Sequence, residues 1–181
     1  MGLLNFFTKR KFGKIIKSVN DSCLELYCNI CKYLDDNSQE KDVNHLEVLS
    51  FSILLLTDLY WLSIEKKIIN EHDKNIYKSL CISAQNDVID EFLKGIDNFK
   101  KYMESKEDIY KFVTIRSGQY KNIFYQKTTL DEDIMHELTY TFLNNSFKEP
   151  LSENTMHLVP HLSFLLVESY NEYLKRFDRI L

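Results

Sequence analysis

Two ionisable residues stand where a charge is costly. Asp58 falls inside LLLTDLYWL, and Arg116 falls on the apolar side of IYKFVTIRSGQY, between Phe112/Val113 and Tyr120. Only four Arg occur against nineteen Lys, so an Arg at that position is not a surface habit. An isolated charge in a core costs several kcal/mol, and each of these residues therefore needs a partner. The placement predicts an Asp58–Arg116 pair across two core helices, with Tyr60 or Tyr120 completing its hydrogen bonds. Inside a core, such a pair fixes helix register. In a cleft, the same guanidinium fork would be presented to an anionic ligand.

Cysteine and histidine supply the other candidates. Cys28 and Cys31 form a CxxC, with Cys23 nearby and Cys81 distant. Zinc closes a tetrahedron of four ligands, and no second CxxC or matching His pair follows. A redox pair is expected at a helix start, whereas these two fall late in a helix already under way. Structural thiols are the expectation. His157 and His161 have the i, i+4 spacing that sets two ligands on one helical face, with Glu153 a turn earlier. Pro160 stands between them and interrupts that alignment, and the paired ExxH motifs of di-iron bundles are missing. No cofactor is expected, with His157 and His161 as the alternative metal ligands. GxSxG, P-loop, HExxH and Gly-rich dinucleotide patterns do not occur.

The elements that would position these residues read as helices. Four Gly and two Pro in 181 residues leave little material for hairpins. A stripe from Phe12 through Ile15, Val19, Cys23, Leu26, Ile30 and Leu34 predicts a first core helix over 12–35, with residues 1–11 as a basic and apolar flank. The stretch from His45 to Asn70 is apolar on all sides between Phe51 and Leu62, which predicts a central buried helix near 46–69. Glu47 and Asp58 interrupt it too often for a membrane span. EHDKN (71–75) reads as a break, followed by helices over about 76–103 and 107–127, the latter weakened by Gly118. Thr129 is the expected cap of a fifth helix ending near 145–147. Pro160 suits the first turn of a sixth. The expectation is an all-α, single-domain bundle of five to six helices spanning 1–181.

Composition narrows the function. Hydrophobic residues at 44% and charged residues at 28% are globular values, and the net charge of −4 argues against nucleic acid as a partner. The opening MGLLNFFTKRKFGKIIK carries five basic residues and no acid, yet lacks the order and cleavage site of a secretory signal, and Phe6 breaks the myristoylation pattern. Membrane-surface binding through residues 1–17 is the minor alternative. The cysteine usage suits a reducing, cytoplasmic setting. Tyr102, Tyr110, Tyr125, Tyr140 and Tyr173 take edge positions suited to a protein-binding surface. The leading expectation is a non-catalytic interaction domain that binds another protein: a small inhibitor, an immunity- or antitoxin-like protein, or an adaptor. The alternative is a ligand-binding or metal-dependent helical enzyme using Asp58, Arg116, His157 and His161.

Overall fold

The computed structural model describes residues 2–38, 43–58, 71–95, 105–125, 132–147, 151 and 153–179. Among them every regular element is a helix, and the architecture is the all-α bundle that the patterning predicts. The helices are α1 (Gly2–Asn37), α2 (His45–Ile53), α3 (Glu71–Lys94), α4 (Lys106–Tyr125), α5 (Glu132–Ser146) and α6 (Leu158–Asp178). A single helical turn, Glu153–Met156, precedes α6.

The core begins with α1. Ile15, Val19, Cys23, Leu26, Ile30 and Leu34 recur at three- and four-residue intervals, and all are buried against the bundle. The separate flank expected over residues 1–11 is instead continuous helix from Gly2. Gly13 lies within this helix with no positive φ, so it does not turn the chain there. α1 packs chiefly on α3 and touches α2 and α6.

α2 is the hub. Asn44 caps it, its side-chain oxygen accepting from the Leu46 N–H at 3.1 Å, while its own N–H donates to the Ser146 carbonyl at 2.9 Å. Every residue from Leu46 to Thr57 is buried. Three of these carry hydroxyls, and burial is tolerable because each bonds the carbonyl four residues back: Ser50 to Leu46, Ser52 to Val48, Thr57 to Ile53. Past Ile53 the helix widens into a π-helical turn, Leu54–Asp58, where Thr57 Oγ1 also accepts from Gln85 Nε2 at 3.0 Å. Phe51 stacks on Phe142 at 4.4 Å and meets the Tyr120 ring edge-on at 5.4 Å, joining α2 to α5 and α4 at one point. The remainder of the predicted central helix, 59–70, lies outside the described residues.

Two boundaries differ from expectation. The EHDKN break is the first turn of α3: it is polar but holds no helix breaker, and the Lys74–Glu71 ion pair at 2.9 Å braces it. α3 closes at Gly95, whose N–H reaches the Glu91 and Phe92 carbonyls, while 96–104 lie outside the described residues. Ser105 starts α4 with a reciprocal cap, accepting from the Asp108 N–H at 3.2 Å and donating to the Asp108 carboxylate at 2.7 Å. Thr129, the expected cap of α5, lies outside the described residues. Pro160 occupies the first turn of α6, where its missing N–H costs no helix bond. No helix among the described residues is long and apolar enough to cross a membrane.

Candidate functional site

Arg116 does meet a carboxylate in the core, and that carboxylate is Glu47. Glu47 belongs to the first turn of α2, and its side chain is 0% exposed. Arg116 Nε approaches Glu47 Oε1 to 2.6 Å. The Nε–H is not directed at that oxygen, so Oε1 receives charge without a well-formed hydrogen bond. The other oxygen is better served, because Tyr120 donates its hydroxyl hydrogen to Oε2 at 2.9 Å. Asn145 Nδ2 then donates to the Tyr120 oxygen at 3.3 Å. The chain Asn145–Tyr120–Glu47–Arg116 thus links α5, α4 and α2.

Burial pushes the Glu47 carboxyl above its ordinary range, and the Tyr120 hydrogen bond and Arg116 charge pull it part of the way back. The Tyr120 phenol is driven up by burial and by the carboxylate beside it. Arg116 is further committed: one terminal nitrogen donates to Gln119 Oε1 at 2.6 Å, and the guanidinium lies over the Phe112 ring at 5.5 Å. The fork therefore spans the boundary, its Nε beside the fully buried Glu47 carboxyl and one terminal nitrogen on Gln119 at the surface. The arrangement joins three helices. Asp58, the partner expected from sequence, ends the π-helical turn, and its side chain lies outside those described. Tyr60 lies outside as well. The signal that singled out Asp58 also marks Glu47, an acid between Leu46 and Val48 in an apolar run.

A second polar group joins α1 to α2. His45 Nδ1 lies 2.9 Å from the Tyr27 hydroxyl and 3.6 Å from Cys31 Sγ. Burial pushes the Cys31 thiol up to about 11 against the Tyr27 hydrogen bond, with Asp35 and Cys28 adding to the rise. At neutral pH Cys31 is a thiol, the unreactive form. Cys23 is buried in the core and Cys28 is exposed, and all four cysteines are unbridged. The CxxC is therefore split between an exposed thiol, Cys28, and a partly buried one, Cys31.

His157 occupies the turn before α6 and His161 its exposed face. Among the described residues no group of three or more His, Cys, Asp and Glu side chains is placed to hold a metal ion. Of the edge tyrosines, Tyr140 is 42% exposed, Tyr110 is half-buried and donates to Asp90 at 2.7 Å, and Tyr173 is buried beneath Arg176. Tyr173 is therefore a core residue: α6 presses its C-terminal half on α1, where Arg176 reaches Glu25 at 2.9 Å. Tyr102 and the Tyr125 side chain lie outside the description.

The surface feature that sequence reading missed is Phe164. Placed by periodicity on a helix full of leucines, it stands 65% exposed on α6. It lines an apolar groove of about 280 Å³ with His136 of α5 and Pro160, Ser163 and Val167 of α6. Tyr140 continues the α5 side one turn on, and Met156, 44% exposed, precedes α6. A larger groove of about 770 Å³ runs between α1 and α3, with Ile16, Leu24 and Val88 among acids and lysines. Asn20 Oδ1 is buried there without a hydrogen-bond partner. No protein-family model, curated protein or solved structure matches this chain.

Proposed function

We propose that this chain is a non-catalytic interaction domain that docks another protein on its α5–α6 face. The observation that carries the reading is Phe164, a large aromatic side chain held open to solvent at the edge of an apolar groove. Scattered exposed apolar residues are ordinary, but an aromatic anchor beside a groove and flanked by further exposed apolar groups is what partner surfaces use. The full burial of the Glu47 carboxyl, held by Tyr120 and Arg116, supports the same reading. Cytoplasmic operation belongs to the proposal and is supported by the four unbridged thiols, one of them exposed. Inhibitor, immunity-like, antitoxin-like and adaptor roles all act this way, by covering a partner's surface.

The test is a photo-crosslinking side chain placed at position 164 in the producing cells, with position 107 on the exposed side of α4 as control. A single adduct of fixed mass, formed from 164 and not from 107, is expected. Matching adduct patterns from the two positions would overturn the proposal.

A further inference from the structure

The α5–α6 face is acidic as well as apolar. Asp133 lies one turn before His136 on α5, Glu168 lies one turn beyond Phe164 on α6, and both acids are exposed. Glu172, further along α6, is taken up by Arg176 at 2.6 Å, while Lys148, Glu149 and the Glu132 and Glu153 side chains lie outside the described residues. Charge separates the two occupants that an apolar groove invites. A second copy docking by the same face would set Asp133 and Glu168 of one molecule against the acids of the other, which like charges oppose. A basic helix is drawn to the same rim and has an apolar side to bury. Resting on the docking-face reading above, we infer that this groove receives an amphipathic helix of another protein. Its apolar anchor seats between His136, Pro160 and Phe164, and its Lys or Arg residues flank Asp133 and Glu168.

Three labelled peptides of about 18 residues, enough for five helical turns, test this against the full chain by fluorescence anisotropy. One carries a leucine stripe flanked by lysines, one the same stripe flanked by glutamates, and one the lysine peptide shuffled to destroy the stripe. The first should bind, and its affinity should fall at least about tenfold between about 50 and about 300 mM salt. Phe164→Asp should abolish this binding although it adds a negative charge. Asp133→Lys with Glu168→Lys should weaken it by about tenfold or more while the chain keeps its helical fold. Equal binding of the lysine and glutamate peptides would overturn the basic-partner inference and leave the docking face standing. Binding by no peptide while the position-164 crosslink persists would overturn the helical basic partner alone, and loss of both would remove the docking face too. A concentration-dependent dimer broken by Phe164→Asp would assign the face to a second copy and overturn the inference.

Discussion

Glu47 is the residue whose chemistry the fold must contain. Its folded carboxyl holds a proton more tightly than the ordinary value of 4.5, so between that value and the raised one the folded chain binds more protons than the unfolded chain. Stability contributed by this group therefore falls as pH rises through that window. Glu47→Gln should flatten this part of the stability curve, read from urea melts at a series of pH values. Arg116→Met strands the carboxylate, and because Arg116 is 27% exposed the expected loss is about 2–3 kcal/mol, below the range for a fully buried pair. That loss should shrink on acidification from about pH 8 to about pH 5, since the stranded carboxyl then takes up a proton. A loss that stays constant with pH would mean that Glu47 is not the partner that matters. Tyr120→Phe removes a hydroxyl donated to a carboxylate and should cost about 2 kcal/mol. The expectation of a buried pair on Arg116 was legible because an arginine on an apolar stripe demands a counter-charge. Which acid answers was not legible, because Glu47 and Asp58 lie eleven residues apart in one apolar run and only the meeting of α2 with α4 selects between them.

Among the elements, α2 bears the most because it is packed on all sides by α1, α3, α4 and α5. Phe51 touches the rings of both Phe142 and Tyr120, so Phe51→Ala should open a cavity at the junction of three helices and cost about 3–5 kcal/mol in denaturant unfolding. α4 offers the opposite case. Gly118 lies inside that helix, and a Cβ built on it meets nothing within 4 Å. Gly118→Ala should therefore stabilise by about 0.5–1 kcal/mol, visible as a raised melting temperature, and a loss would mean that α4 is not helical there. The helices were legible because a period near 3.6 in apolar residues is a property of the local chain. Their ends were less so: EHDKN looks like a loop by polarity, yet polarity alone does not stop a helix, and only Gly, Pro or a missing cap does.

At the scale of the molecule, the protein is a bundle in which the Asn145–Tyr120–Glu47–Arg116 chain joins three helices and Phe164 stands exposed on α6. Phe164→Asp should leave the unfolding free energy within about 0.5 kcal/mol of the parent, because a side chain this exposed contributes little to the core. If the variant unfolds instead, Phe164 is a core residue and the docking reading fails with it. By itself the sequence determined the helical class, the buried character of the described part of the central segment predicted near 46–69, and the need for a charge partner at Arg116, since periodicity, hydrophobicity and desolvation act on each residue whatever its neighbours. Only the tertiary structure decided that Glu47 is that partner and that Phe164 stands exposed beside a groove. Each of those depends on how far one helix is turned about its axis against the next, and that rotation is set by the packing of all the helices together.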